Sequence, residues 1–102
     1  MRLRWSSDAL EDLAAIRRYI AEDHPAVAQN VAQRIRSALA HLKDYPGIGR
    51  AGRVRGTREL LIPGLPYIVP YRMKENAIEL LRDLHTSRQW PKEEPLGETT
   101  VD

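Results

Sequence analysis

The chain predicts an α+β fold with elements in the order β-α-α-β-β-β: an antiparallel sheet with a helical hairpin packed on one face. Three observations predict it. Apolar residues recur at helical spacing in two segments separated by EDHP. A stretch rich in glycine and proline, YPGIGRAGRVRG, then ends the helical pattern. Three apolar runs bounded by turn residues follow, TRELLI, YIVPYR and AIELLRDLH.

The first element is read from alternation. Met1, Leu3 and Trp5 share one face and Arg2 and Arg4 the other, which is the period of a half-buried strand. Ser6, Ser7 and Asp8 then offer N-cap oxygens, and Asp8 with Glu11 has capping-box spacing. Leu10, Leu13, Ala14, Ile16 and Ile20 predict a helix from Ser7 to Glu22. Asp23 or His24 stands ready to cap a second helix, with Pro25 in its first turn, where a missing N–H is tolerated. Val27, Ala28, Val31, Ile35, Ala38, Leu39 and Leu42 form that helix's apolar stripe. The tight connection makes the two helices an antiparallel hairpin.

Proline and four glycines in twelve residues make YPGIGRAGRVRG a loop. Pro63-Gly64 signals a turn, and MKEN closes a hairpin between the last two strands. Pro70 has no N–H to give a ladder, so its position predicts a bulge or a side turned away from pairing.

Composition narrows the chemistry. The absence of cysteine excludes disulfides, thiolate nucleophiles and cysteine metal sites, and fits a reducing compartment. His24, His41 and His85 are isolated in sequence, so neither a metal nor a cofactor is expected. GIGRAG lacks the Lys-Ser/Thr of a phosphate-binding loop. No apolar run approaches the roughly 18 residues of a membrane span, and MRLRWSSDALEDL turns polar too early for a signal peptide. A cytoplasmic protein without membrane association is expected. All sixteen Lys and Arg residues lie at or before Lys92, against ten acidic residues over the same stretch, which gives residues 1–92 a net +6. Glu93, Glu94, Glu98 and Asp102 follow. One domain is expected over 1–92 and a disordered acidic tail over 93–102. The basic body favours a polyanion or an acidic protein segment.

Two features carry candidate function. Arg50, Arg53 and Arg55, with Arg58, make a basic loop, and arginine forks bind phosphate and carboxylate alike. The plainer reading is a solvated loop. Few aromatics interleave, so no stacking platform for single-stranded nucleic acid is expected. The second feature is LHTSRQWP, which presents His85, Arg88 and Trp90 at the end of the last strand. Histidine as a residue type suits acid–base work, so His85 is a candidate, while Arg82 and Arg88 would offset charge on a phosphorane. Glu59 and Glu79 are available as carboxylate bases. The plainer readings are a structural hydrogen bond for His85, packing over the core's edge for Trp90 and a solvated charge for Arg88. On a regular strand Arg82 shares a face with Ile78, Leu80 and Leu84, and His85 shares the other with Glu79, Leu81 and Asp83.

From Leu3 to Pro91 the order and spacing of these pieces resembles the RelE/ParE superfamily of bacterial toxins from type II toxin–antitoxin systems. The pieces that carry the resemblance are the opening strand with ALEDLAAIRRYI, the YPGIGR loop, REL, YIVPYR and the closing LLRDLHTSRQWP. The resemblance implies a cognate antitoxin whose acidic, partly disordered segment folds onto the helical hairpin and the basic groove. It also implies one of two targets. RelE-like members resemble ribosome-dependent mRNA endonucleases that use sheet lysines and arginines with a late Tyr or His. ParE-like members share the fold and poison DNA gyrase. Here Arg58 and Leu60 stand where a strand lysine pair would, Tyr67 stands where an arginine would open the next strand, and no tyrosine follows Arg88. These differences favour the ParE-like reading, with gyrase bound and no catalytic residue. Arg50, Arg53, Arg55, Arg58, Arg82, His85, Arg88 and Trp90 are then expected to bind target or antitoxin. Gln89-Trp90 departs from the Met-Asp that ParE-like proteins often carry there. The alternative is a metal-independent ribonuclease using His85, Arg88 and Arg58. A third reading is a non-toxic interaction module.

Overall fold

The computed structural model describes residues 1–88 and Trp90; the expected acidic tail, 93–102, lies outside the described residues. The elements are β1 (Arg2–Trp5), α1 (Ser7–Ala21), α2 (Pro25–Ala40), a 3-10 turn (His41–Lys43), β2 (Arg50–Ala51), β3 (Arg58–Leu61), β4 (Tyr67–Lys74), β5 (Ala77–Leu80) and β6 (Leu84–His85). The sheet runs β1-β5-β4-β3-β2, with β6 also on β4. The α+β fold is the one expected, with three refinements. β1 pairs parallel to β5. The two-residue β2 lies inside the stretch read as loop. The last apolar run is two short strands, not one.

Ser6 starts α1. Its Oγ accepts the Ala9 N–H at 3.0 Å and donates to the Leu81 carbonyl at 3.0 Å, which ties the helix start to the far end of β5. The expected Asp8–Glu11 capping box is therefore corrected. Asp8 sits inside the first turn, where its charge suits the helix dipole. His24 occupies the N-cap of α2 without a side-chain cap bond, and Pro25 opens the helix as expected.

The helices pack on the sheet through Ala9 and Leu13 of α1 and Val31, Ala32, Ile35 and Leu39 of α2. They meet Val69, Tyr71, Ile78 and Leu80. Ile35, Leu39 and Leu42 are fully buried, each stabilising the fold by roughly 1.5–3 kcal/mol. Leu10 and Val27, counted in the expected stripes, are 54% and 49% exposed. They lie one step around the helix from the residues that meet the sheet.

Two turns set strand lengths. Leu65 N–H bonds the Ile62 carbonyl across Pro63-Gly64, and Gly64 has φ 74°, the geometry of a type II turn. Glu75 and Asn76 both have positive φ, 54° and 60°, which fits the type I′ hairpin that follows β-strand twist.

Pro70 sits where β4 changes partner. Tyr71 faces Leu80 and Ile68 faces Leu84, so Val69 and Pro70 oppose three residues, Leu81, Arg82 and Asp83. This is a bulge. The Pro70 carbonyl accepts the Leu81 N–H at 2.9 Å, so its hydrogen-free nitrogen also faces the bulge. The expectation for Pro70 holds. The extra residue shifts register by one place, and a one-place shift reverses every later side chain. His85 therefore stands opposite Tyr67, on the face of Tyr71 and Leu80, while Leu84 joins Ile68 on the other. The expected alternation, with Leu84 beside Leu80 and His85 beside Glu79, is corrected.

Candidate functional site

The bulge opens a cleft of about 560 Å³ between α1 and β6. Asp12, Ile16 and Tyr19 line it from α1, Tyr67 from β4, and Asp83, Leu84, His85, Ser87 and Arg88 from the closing stretch. The cleft thus brings His85 and Arg88 together, as the sequence suggested. Trp90 is partly buried.

Arg82 faces inward to a partner. Its Nε donates to Asp12 Oδ2 at 2.7 Å and its Nη2 to Asp12 Oδ1 at 3.0 Å. The same Oδ2 accepts the Asp83 N–H at 2.9 Å. These hydrogen bonds hold the guanidinium pKa above its ordinary value. Arg82 is occupied within the chain.

His85 Nδ1 accepts the Ser87 N–H at 3.1 Å and lies 2.9 Å from Ser87 Oγ. In the neutral ring the proton then sits on Nε2. The ring meets Tyr67 edge-on, with centroids 5.6 Å apart and planes at 87°. In the neutral form Nε2 is the ring's hydrogen-bond donor.

Asp83 is the unusual member. It is 2% exposed, and neither carboxylate oxygen has a hydrogen-bond partner among the described residues. Burial, followed by the charge of Asp12, pushes its pKa up to about 7. Tyr67 is raised as well, by burial first and then by Asp83 and Tyr19.

The basic loop is built on Tyr71. The buried hydroxyl accepts the Gly49 N–H at 2.9 Å and donates to the Pro46 carbonyl at 2.7 Å. A Cβ on Gly49 would lie 2.7 Å from the Tyr71 ring and hydroxyl, so this approach requires glycine. Arg58 donates to the Gly47 and Gly49 carbonyls at 3.2 and 2.8 Å. Glu59, buried, accepts from Arg50 at 3.3 Å and from the Arg53 N–H at 3.0 Å. Arg50 and Arg58 thus hold the loop's shape, while the Arg53 and Arg55 residues are exposed.

A second cleft, about 390 Å³, lies between α2 and β3, with Ala38, Ile48, Leu60 and Leu61 on its walls. The two clefts share no residue, and Arg58 lines neither. Arg58 stands opposite Tyr71 on one side of β4 and His85 opposite Tyr67 on the other. The trio His85, Arg88 and Arg58 is not assembled in one site. Asp12, Asp83 and Tyr71 went unassigned in the sequence. Only Asp83 carried a signal, a carboxylate inside an apolar run.

The profile of the ParE toxin family of type II toxin–antitoxin systems (parDE) matches residues 3–90. The Sinorhizobium fredii protein Y4kP, named as a toxin, is 43% identical over 91 residues, 89% of this chain and 94% of that protein. Toxin RelE2 of Caulobacter vibrioides is 33% identical over 84 residues, 82% of this chain and 93% of its own. A solved structure of the chromosomal ParDE TA system from P. aeruginosa superposes with a TM-score of 0.78 at 31% identity, covering 83% of this chain and 95% of that one. Fold and sequence agree, and the chain belongs to the ParE toxin family of type II toxin–antitoxin systems, within the RelE/ParE superfamily.

Proposed function

We propose that this toxin acts by binding DNA gyrase, in the cytoplasm, and is neutralised by a cognate antitoxin. One observation carries the choice of binding over catalysis: of the arginines a ribonuclease would use, Arg82 and Arg58 are engaged elsewhere, which leaves Arg88 beside His85. Arg82 is held by Asp12, Arg58 by two loop carbonyls and Arg50 by Glu59. Phosphodiester cleavage needs cations, an acid and a base converging on one phosphate. The family match and the ParDE likeness support the same reading. The antitoxin's acidic segment meets the exposed Arg53 and Arg55. Reversing both charges weakens that complex more at low salt than at high salt; equal affinity at both would exclude the pairing.

The test is plasmid supercoiling by purified gyrase with this protein added, then with its antitoxin. Inhibition or trapped cleavage that the antitoxin reverses is the expected result. Unaffected supercoiling excludes gyrase as target.

A ribonuclease is the second reading, favoured by one observation, the shared cleft of His85, Ser87 and Arg88. It requires that His85→Ala and Arg88→Ala abolish both toxicity and mRNA cleavage.

A further inference from the structure

We propose that the sheet face turned away from the helices, where β1, β5 and the end of β4 meet, seats the phosphate backbone of duplex DNA on Arg2, Arg4 and Lys74. The choice of DNA over RNA rests on the gyrase reading above; the phosphate seat itself does not.

Register gathers the cations on one face. On β5, Ala77 stands opposite Arg2 and Glu79 opposite Arg4. From the other side, Lys74 of β4 stands opposite Ala77 and Arg72 opposite Glu79. Paired residues share a face, as do alternate residues of one strand. The residues between them, Leu3, Trp5, Tyr71, Ile78 and Leu80, belong to the core beneath the helices. The cationic side is left to solvent. Arg2 and Lys74 are exposed, and the side chains of Arg4 and Arg72 are 39% and 43% exposed.

The charges do not cancel. The carboxylates beside these cations are Glu79, bound to Arg72 at 2.6 Å, and Glu75, 3.9 Å from Arg4. Four cations thus meet two anions. The Arg72 hydrogen bond holds the Glu79 carboxyl below its ordinary value, and Lys74 and Arg4 push the same way, so one carboxylate answers to three cations. Among the described residues, Arg2 and Lys74 have no carboxylate within ion-pair reach. Like charges on neighbouring strands repel one another, and a polyanion relieves that repulsion.

The shape of the face selects the polyanion. An acidic peptide is held by side-chain pockets or by a strand edge. Neither cleft described above includes any of these residues. β5 lies between β1 and β4, and β4 between β5 and β3, so the middle of the face offers no edge. Its aromatic neighbours Trp5 and Tyr71 belong to the core side. Single strands gain most of their hold by stacking bases on such rings, so a duplex fits better. The cations stand on strands about 4.8 Å apart, with alternate residues about 6.8 Å apart. That open lattice suits the continuous charge of a duplex backbone, which it positions without reading sequence.

The experiment is fluorescence anisotropy of a labelled DNA duplex titrated with the full chain. With three phosphates neutralised, affinity is expected to fall about fortyfold between roughly 50 and 200 mM salt. Arg4→Gln with Lys74→Gln should weaken binding about tenfold and flatten the salt slope by about two. Arg17→Gln with Arg36→Gln removes the same charge from exposed helix positions and should change affinity less than about twofold. Glu79→Gln takes an anion out of the face and should tighten binding about threefold, a gain that damage to the fold would not give. Circular dichroism checks each variant. No binding at low salt, or equal loss from the helix pair, overturns the site. Weaker binding by a folded Glu79→Gln overturns the charge argument. A single strand of the same length bound as tightly overturns the duplex, and duplex RNA bound more tightly overturns DNA. Polyglutamate that competes as well as unlabelled duplex overturns nucleic acid in favour of an acidic protein segment. Gyrase is absent from every arm, so this site and the gyrase reading fail separately.

Discussion

Asp12 and Arg82, seventy positions apart, meet through both oxygens of one carboxylate, at 2.7 and 3.0 Å. The pair pins α1 to the bulge, and Asp12 also holds the bulge backbone at the Asp83 N–H. Asp12→Ala leaves a largely buried guanidinium and a backbone donor without partners. It is expected to cost about 2–4 kcal/mol. Urea unfolding with a lowered midpoint and an unchanged slope checks this. Adding Arg82→Met should recover part of the loss.

Asp83 makes stability fall as pH rises. Its folded pKa of about 7 lies above the ordinary aspartate value of 3.8, so the folded state binds more protons between those values. The stability is fully present below about pH 4 and is lost as pH passes 7, by roughly 4 kcal/mol at 1.36 kcal/mol per pKa unit. Glu79 has the opposite sign: the Arg72 hydrogen bond, 2.6 Å, lowers its pKa. Its contribution is present above its ordinary pKa and disappears as pH falls below it. Unfolding of Asp83→Asn from pH 5 to 8 should lack the wild-type decline, while the acid limb stays.

Removing the Tyr71 hydroxyl should loosen the basic loop and spare the core. Tyr71→Phe leaves the Gly49 N–H and the Pro46 carbonyl without their buried partner, at about 1–3 kcal/mol. Hydrogen exchange at Gly49 and Arg50 should accelerate more than at Ile35 or Leu39. Gly49→Ala, which drives a methyl into the same ring, should show the same pattern.

The Glu75-Asn76 turn is not optimised for its backbone. Positive φ suits Asn-Gly best, and Glu at the first position is strained. Replacing the pair with Asn-Gly should stabilise the hairpin by about 0.5–1 kcal/mol. The exposed Arg4–Glu75 contact, 3.9 Å, is lost at little cost. A higher thermal midpoint is the readout.

The order of elements, the two helices, both turns and the Pro70 irregularity were legible along the chain. Each depends on local spacing or on one residue's backbone limits: the 3.6-residue stripe of Val31, Ile35 and Leu39, the missing N–H of Pro70, the left-handed freedom of Gly64. The basic character of the loop was legible too, because charge is composition. Which arginines it presents was not. Arg50 and Arg58 looked equivalent to Arg53 and Arg55 until Glu59 and the loop carbonyls folded against them. The face of His85 depended on how many residues the bulge inserts, which no periodicity encodes. The Asp12 clamp, and an Asp83 without a hydrogen-bond partner among the described residues, arise where α1 crosses a bulge seventy positions later in the chain. Local patterning settled the parts, and long-range packing settled which charges were paired within the chain.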